Sequence, residues 1–494
     1  MNIISKYKLC FALLLGFGLS SCDKDFEEIN VNPNAPADVP AVVILPAAQQ
    51  SAVSRLFGAS LNLTYAETWA QHIAKIQYID EDRYEFRPDA IAIHWDSLYS
   101  GPLYDTQLII QKAEESGNQA MEGTGRTFRA LIYQNMTDLW GDIPYFEALQ
   151  GAEGNMTPVY DEQEAIYMDL LQELETANTL LAAGTGTIEG DLMYGGDIMQ
   201  WRRFANSLRL RLLIHMADVA PAIAKEGIEM ITGDPDMYPI FESNDDNAEL
   251  AFLGAQPYRN PWFENAVTRD DHAVSQTLVQ LLGAKNDPRL TVYAKPAAEP
   301  VAGAGVKFGG KTYVGQPNGA LVQPSLPTVS RIGDLYRGTE TQPMYVMTYS
   351  EVMFILAEAA ARGWDVGITA AEAYNEGIIA SMSLNRITDD AAILAYLAQP
   401  SVAYELQANK MEAISEQKWL ALFGNGIEAF TEVRRTGYPD EVVEPEASAY
   451  PGRGVALRFP YSIQEQSTNR ANVTAASTGI TDFLFGERLW WDVD

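Results

Sequence analysis

Hydrophobic residues recur at intervals of three and four over most of the chain beyond its first 45 residues, which predicts a mainly helical protein. One stripe consists of Ile166, Leu170, Leu174, Ala177 and Leu181, and a second consists of Trp201, Phe204, Leu208 and Leu212. Asp161 is followed three residues later by Glu164, a spacing that is typical of a capping box. We therefore expect the helix that carries the first stripe to begin at Asp161.

A helix, a tight turn and a second helix are predicted within roughly 34 residues, starting at Tyr349. The first helix runs to Arg362, which is spaced for an ion pair with Glu358, and it ends at Gly363. The second starts near Thr369. Small residues are expected where the two helices approach closely; they are Ala357, Gly377 and Ala380.

This helical pair resembles a tetratricopeptide unit. The other pairs would be 126–140 with 162–182, and 389–398 with 404–423. A further helix, Ile427 to Arg435, carries Arg434 and Arg435 in its last turn, where positive charge suits the helix dipole. We interpret these two arginines as structural, with ligand binding as the alternative.

The segment from about 235 to 345 is rich in Gly, Pro, Asn and Asp and predicts loops. Ala248 to Leu253 and Lys311 to Val314 are expected to be small strands. Asp245 and Asp246 read as an acidic surface turn, with calcium binding as the alternative. The fold class is therefore mainly α, with tetratricopeptide-like helical pairs, long loop insertions and minor β structure. A two-domain α/β receptor would need alternating strands and helices.

The first 21 residues read as a secretory signal, because two lysines precede an apolar run from Leu9 to Leu19. That run is shorter than the roughly 20 residues of a membrane-spanning helix. The next residues, Leu19-Ser20-Ser21-Cys22, resemble a bacterial lipobox, in which Cys22 is cleaved free and acylated. We expect three parts: a signal peptide 1–21, a lipidated tether 22–45 and a single helical domain 46–494. Acidic residues 23–28 resemble a tag for export to the cell surface.

Composition excludes several classes of function. The chain has 34 Lys and Arg against 66 Asp and Glu, and its formal charge of −32 would repel a nucleic-acid backbone. Its two cysteines form no zinc or disulfide pattern. We expect no nucleic-acid partner, and contact with a membrane only through the lipid.

Searches for catalytic motifs give no enzyme. Gly305 to Thr312 fits the phosphate-loop pattern by letter, but such a loop must follow a buried strand and open a helix, and β-like residues and a proline follow here. The four histidines are scattered, and His215 reads as a packing residue. Paired carboxylates of a glycoside hydrolase stay open as an alternative, because their geometry is three-dimensional. No catalytic residue, cofactor or metal is predicted.

An ordered set of motifs resembles the SusD/RagB family of outer-membrane lipoproteins, in the wording of its SusD-like subgroup. The motifs, from the lipobox to the C-terminus, are 138–145 (DLWGDIPY), 201–211 (WRRFANSLRLR), 357–363 with AEA and RG, 417–419 (QKW), 434–439 (RRTGYP), 458–461 (RFPY) and 490–492 (WWD). The resemblance implies a lipid-anchored surface protein that captures a nutrient, commonly an oligosaccharide. It also implies a SusC-like TonB-dependent β-barrel transporter as the partner. Trp140 and Trp201 are expected to fill space between helices.

Ligand-binding residues were chosen from segments that mix aromatic rings with planar polar groups, as sugar recognition requires. One segment is 77–84, and the other is 256–262. The predicted binding residues are Tyr78, Arg83, Tyr84, Tyr258, Arg259 and Trp262. Trp95 and Tyr99, four residues apart, are assigned to the core.

Three functions are left open by the sequence: a nutrient-binding protein, a surface glycoside hydrolase, and a structural transporter subunit without its own ligand affinity. The nutrient itself, and whether it is a glycan, cannot be read from the residues.

Overall fold

The computed structural model describes residues 39–85 and 87–493, with only the backbone given for Pro88. The predicted signal 1–21, Cys22 and most of the predicted tether lie outside these residues. The chain divides into Met1–Pro40 and Ala41–Asp494, and every helix and strand named below belongs to the second unit.

Helices dominate this unit, as predicted. The α-helices are α1 (Ala41–Leu56), α2 (Glu67–Trp69), α3 (Pro88–Leu98), α4 (Tyr104–Ser116), α5 (Gln119–Trp140), α6 (Gln163–Ala183), α7 (Ile198–His215), α8 (Pro221–Gly233), α9 (Pro261–Thr268), α10 (Gln276–Ala284), α11 (Leu290–Tyr293), α12 (Asp334–Arg337), α13 (Tyr349–Ala361), α14 (Ala370–Leu384), α15 (Asp390–Leu397), α16 (Lys410–Ala421), α17 (Gly426–Thr436), α18 (Glu465–Thr468) and α19 (Arg470–Ala476). Two π-helical segments, Ala59–Ala66 and Tyr99–Leu103, and short 3-10 turns join them.

Strand structure is minor in the described residues. Three antiparallel pairs form, β1 (Ile73–Lys75) with β3 (His272–Val274), β2 (Ala248–Leu250) with β6 (Met344–Met347), and β4 (Val306–Phe308) with β5 (Lys311–Tyr313). In the first pair Ile73 lies opposite Val274. The two predicted strands are confirmed as β2 and β5, each shorter than expected.

The apolar stripes become the contacts between helices. Every residue of the Ile166 stripe is at most 1% exposed, and α6 packs against both α5 and α7. Trp140 and Trp201 are fully buried, as expected of residues between helices. Burying such stripes against neighbouring helices supplies most of the stability of a helical domain.

Two of the three predicted helical pairs are confirmed: α5 packs on α6, and α13 packs on α14. The third differs, because residues 404–406 form a 3-10 turn and α16 begins only at Lys410. Helix α16 then packs mainly against α13. Its first turn is capped by Asn409, whose side chain accepts a hydrogen bond from the Glu412 N–H.

Two predicted boundaries are wrong. The folded unit begins at Ala41, and Pro46, assigned to the extended tether, lies inside α1. Asp161 does not cap α6, which starts at Gln163. Its carboxylate instead accepts hydrogen bonds from the N–H groups of Tyr145 (3.0 Å) and Phe146 (2.9 Å) and so fixes the preceding loop.

The segment that fits the phosphate-loop pattern is an antiparallel hairpin, β4–β5, with Val306 opposite Tyr313. Its turn consists of Gly309 and Gly310, which both have positive φ angles, as tight hairpin turns demand. No helix follows the glycines, so the prediction that this segment is not a phosphate loop is confirmed.

Candidate functional site

An open cleft with a volume of about 400 Å³ lies between the end of α3 and the loop that follows α5. We call it the aromatic cleft. Its walls include Trp95, Asp96, Tyr99, Tyr104, Asn155 and Glu465. Its volume lies within the range of about 300–1,000 Å³ that is usual for small-molecule sites.

A break in the helix between α3 and α4 presents the tyrosines. Gly101 adopts the non-helical angles φ −115° and ψ −105°, and Pro102 follows it inside the π-helical segment. Tyr99 before this break and Tyr104 after it both line the aromatic cleft. Helical segments of this kind frequently occur at functional sites.

Trp95 forms the base of the aromatic cleft. It is 2% exposed, and its ring stacks on Tyr160 at 5.9 Å with an angle of 18° between the planes. Trp140 and Tyr461 meet the same ring edge-on at 5.5 Å and 5.8 Å. The core assignment of Trp95 is therefore confirmed, whereas Tyr99 is half-buried and faces the cleft.

Hydrogen bonds hold the polar wall in place. The Tyr99 hydroxyl donates to the Pro144 carbonyl (2.6 Å), and the Tyr160 hydroxyl donates to Glu465 Oε2 (3.0 Å). Ser462 Oγ donates to Asp96 Oδ1 (3.1 Å), and burial raises the pKa of the Asp96 carboxyl. Among the described residues, no lysine, arginine or histidine lines this cleft. It therefore offers acceptors to hydroxyl and amide donors and no positive charge to an anion.

The cleft opens beside exposed apolar side chains. Met156 is 74% exposed and Tyr104 is 40% exposed, and both line the opening. Nearby in the chain, Phe146 is 49% exposed and packs edge-on against Tyr145 at 4.9 Å. Exposed apolar surface around a polar-walled cavity is typical of a ligand-binding site.

Sequence reasoning missed the aromatic cleft. Its tyrosines lie at helical spacing and read as core, and the loop 144–158 carries no pattern of its own. The available signal was the Gly101-Pro102 pair inside an apolar helical run, since such a pair interrupts a helix at a place where packing gives no reason for it.

The first predicted binding segment is split between surface and core. Tyr78 is 59% exposed, with the Arg269 guanidinium 5.1 Å from its ring centre. Arg83 donates to the Ala447 carbonyl (2.6 Å). Tyr84 is 1% exposed and packs edge-on against Trp69 at 5.2 Å, so its predicted role in ligand stacking is corrected: the ring has no free face.

The second predicted segment is split in the same way. Tyr258 is 50% exposed, and Arg259 lies near Glu340 (3.4 Å) and Glu264 (3.7 Å). Trp262 is 3% exposed, and its indole N–H donates to the Phe57 carbonyl (3.2 Å). The prediction that Trp262 stacks on a ligand is therefore corrected as well, because the ring is a core anchor.

The six predicted residues do not form one site. Tyr78 contacts Arg269, which follows the last residue of α9, while Arg259 precedes that helix. Eight helical residues separate the two ends by about 12 Å. Neither segment contributes to the lining of the aromatic cleft.

A buried group of His215, Glu428 and Glu432 has the donor types of a metal site, with ligand atoms within 4.8 Å of one another. Burial alone lowers the pKa of His215, but Glu428 and Asp138 raise it to about 9, so the ring is a cation that donates to Glu428 Oε1 at 2.9 Å. Lys418 Nζ lies 2.9 Å from Glu432. These contacts fit an ion network that neutralises itself, and the interpretation of His215 as a packing residue is consistent with it.

Two arginines complete this interior, as the sequence predicted. Arg435 pairs with Glu358 and Glu432, and Arg434 donates to the main-chain carbonyls of Asp138 (2.8 Å) and Leu457 (2.9 Å). Glu358 also accepts from Arg362 Nε (3.0 Å), which confirms the predicted i,i+4 pair.

Comparison with known proteins follows the same architecture. The family model SusD-like_2, described as "Starch-binding associating with outer membrane", matches residues 33–462. The chain belongs to the SusD/RagB family. Its members are thus associated with the outer membrane and with carbohydrate binding.

Solved structures agree with the family on the fold. A chitin-binding protein has 29% sequence identity, a TM-score of 0.81, and coverage of 92% of this chain and 100% of its own. A SusD homologue from Bacteroides fragilis has 26% identity, a TM-score of 0.76, and coverage of 92% and 99%. A chitin-binding SusD homologue from Flavobacterium johnsoniae has 23% identity and a TM-score of 0.75, covers 92% and 97%, and supports the fold alone.

Curated proteins gave no match to this SusD-family chain. Within residues 39–85 and 87–493, none of the helices has both the length and the apolar character that crossing a membrane requires.

Proposed function

We propose that this SusD-family protein is a non-catalytic, lipid-anchored surface receptor that binds a neutral oligosaccharide in the aromatic cleft. It then passes the ligand to a SusC-like TonB-dependent β-barrel transporter. The observation that carries the proposal is the aromatic cleft itself, about 400 Å³ of open space with aromatic, carboxylate and amide walls. Family membership and a chitin-binding relative at 29% identity support a carbohydrate as the ligand.

The chemistry of the cleft suits a sugar. Sugar rings present apolar C–H faces edged by hydroxyl groups, so they pack on aromatic planes and donate to carboxylates. Tyr104 and Tyr99 supply the aromatic surface, and Asp96 and Glu465 supply acceptors. Because the cleft holds carboxylates and no cationic side chain, we propose an uncharged ligand, with N-acetylglucosamine oligomers as the first probe.

Anchoring rests on Cys22. Lipid chains on this cysteine would hold the protein at the membrane surface, since each buried methylene contributes about 0.8 kcal/mol. Residues 23–40 separate Cys22 from the folded unit, and a chain of that length reaches at most about 60 Å when extended. Such a reach would let the receptor move over the mouth of a transporter while it stays attached.

Calorimetric titration with chitohexaose tests the site. We expect Tyr104→Ala to weaken binding about tenfold, because an exposed aromatic platform contributes upwards of 1 kcal/mol when it is central to a site. Tyr78→Ala and Tyr258→Ala are matched controls, since both replace exposed tyrosines outside the cleft. Loss of affinity in these two variants and not in Tyr104→Ala would move the site to the predicted segments with Arg83 and Arg259.

The same protein separates the three functions. Incubation with chitohexaose followed by chromatography should return the intact sugar; shortened products that disappear in Asp96→Asn or Glu465→Gln would establish a hydrolase instead. Binding to no oligosaccharide, together with stable capture of a β-barrel, would establish a structural subunit. Affinity capture from detergent-solubilised outer membranes, with Cys22→Ser as the unanchored control, tests the transporter partnership.

A further inference from the structure

A second cavity lies between α10 and the hairpin β4–β5. Its volume is about 530 Å³, and an adjoining cavity of about 280 Å³ shares Gln276, Gln280 and Pro317 with it. We call the two together the glutamine groove. None of its lining residues belongs to the aromatic cleft. Gly305 and Val306, from the segment that only imitates a phosphate loop, form part of its wall.

Close backbone contacts fix the walls of the glutamine groove. The Gln276 N–H donates to the Gln316 carbonyl (2.8 Å), and a Cβ atom on Gly315 would lie 2.4 Å from the Gln276 Cα. At the other end of α10, a Cβ atom on Gly283 would lie 2.4 Å from Val306. The helix and the hairpin are thus held together at two points, and a ligand would enter a pre-formed site at little ordering cost.

Three amide side chains in the glutamine groove have no hydrogen-bond partner within the described residues. Gln276 and Gln280 are exposed and, four residues apart, lie on the same face of α10. Gln316 is only 3% exposed, yet its side-chain amide is also unbonded. A buried polar group that is left unsatisfied costs about 1–3 kcal/mol, so the Gln316 amide favours a partner that enters the cavity.

The other two amides of the groove are already engaged. Gln71 Oε1 accepts from Thr277 Oγ1 (2.7 Å). Asn318 donates to the carbonyls of Thr68 (3.1 Å) and Ile73 (2.8 Å) and to Asp82 Oδ1 (2.7 Å). These two side chains hold the structure together, and this contrast singles out the three unbonded glutamines as the available ones.

We propose that the glutamine groove is a second saccharide site, which binds a short uncharged segment through hydroxyl or acetamido groups. Each glutamine amide offers donors and an acceptor, so it pairs with either group. Val306 and Val314 are half-buried in the wall and can cover C–H faces. No lysine, arginine or histidine of the described chain lines the groove, which again favours a neutral ligand. The choice of a saccharide rests on the proposed function, whereas the site does not share residues with it.

Titration with chitobiose and chitohexaose tests this second site. We expect the unmodified protein to bind two equivalents of chitobiose. The double variant Gln276→Ala/Gln280→Ala should bind one equivalent with the affinity of the remaining site unchanged, and its affinity for chitohexaose should fall about tenfold if both sites engage one chain. Gln172→Ala, an exposed glutamine within α6, is the matched control. A crystal grown with chitobiose should contain it between α10 and β4.

The outcomes separate the two proposals. One equivalent that Tyr104→Ala abolishes and the double variant leaves intact would overturn the second site and keep the aromatic cleft. One equivalent that the double variant abolishes and Tyr104→Ala leaves intact would establish the glutamine groove and overturn the cleft. Absence of any binding of either sugar would overturn both.

Discussion

Arg435 is a fully buried cation whose charge is compensated on two sides. Two of its nitrogens bind the Glu358 carboxylate at 2.8 Å and 2.6 Å, and Glu432 accepts two further bonds at 3.0 Å and 2.8 Å. Burial alone lowers the pKa of Arg435, but the two carboxylates raise it well above its usual range. The group is therefore a cation at every physiological pH, and its removal would leave buried negative charge.

We expect Arg435→Met to lower the free energy of unfolding by about 3 kcal/mol. The loss falls at the lower end of the usual range because Glu358 keeps Arg362 and Glu432 keeps Lys418 as partners. Urea denaturation followed by tryptophan fluorescence measures it. Lys225→Met is the control, since Lys225 is half-exposed and its pair with Glu229 contributes less than about 1 kcal/mol. Equal stability losses in both variants would contradict this account.

At the residue scale, the sequence predicted charge roles better than exposure. Arg434 and Arg435 were recognisable as structural because the end of their helix could be read locally. The burial of Tyr84 and Trp262 was not predictable in this way. It depends on Trp69, Phe485 and Phe57, which come from distant parts of the chain.

The pair α13–α14 depends on one glycine for its close packing. A Cβ atom on Gly377 would lie 2.9–3.0 Å from the Phe354 ring, and the Ser350 hydroxyl donates to the Gly377 carbonyl at 2.7 Å. The sequence predicted small residues at this approach, and Gly377 confirms it. A larger side chain here must displace a buried ring in a close-packed interior.

We expect Gly377→Val to destabilise the protein by about 2–3 kcal/mol, although valine has the higher helix propensity. Gly233→Val is the matched control, because Gly233 ends α8 with no atom near its missing Cβ, and its stability should change by less than about 0.5 kcal/mol. Thermal unfolding followed by circular dichroism compares them. A stable Gly377→Val protein would mean that the two helices can separate freely.

At the element scale, helices with their own amphipathic stripe were predictable and the loops were not. The bounds of α13, α14 and α17 lie within about two residues of the prediction. The aromatic cleft instead depends on the loop after α5, and Asp161 holds that loop through two main-chain N–H groups. Asp161 was read as a helix cap, because nothing in the local sequence distinguishes a cap from a loop anchor.

At the scale of the whole molecule, the family was recognisable because its motifs became the interior. Arg458, from one motif, donates to the Trp140 carbonyl of another, and Trp491 Nε1 donates to Asp138 Oδ1 at 3.0 Å. Motifs that bind each other are retained for the fold. They therefore identify the architecture and say little about the ligand, which the surface cavities decide.

The charge of −32 makes a further prediction about ligand choice. Neither the aromatic cleft nor the glutamine groove offers a cationic side chain, so binding of a neutral sugar involves no ion pair. We expect the dissociation constant for chitohexaose to change less than twofold between about 0.05 and 0.5 M NaCl, a range over which the screening length falls from more than 10 Å to less than 5 Å. A sulfated oligosaccharide of equal length, repelled by the acidic surface, should bind weakly at low salt. Calorimetry in both buffers measures this, and tight binding of the sulfated sugar that weakens with salt would show that a cationic surface outside both cavities recognises the ligand.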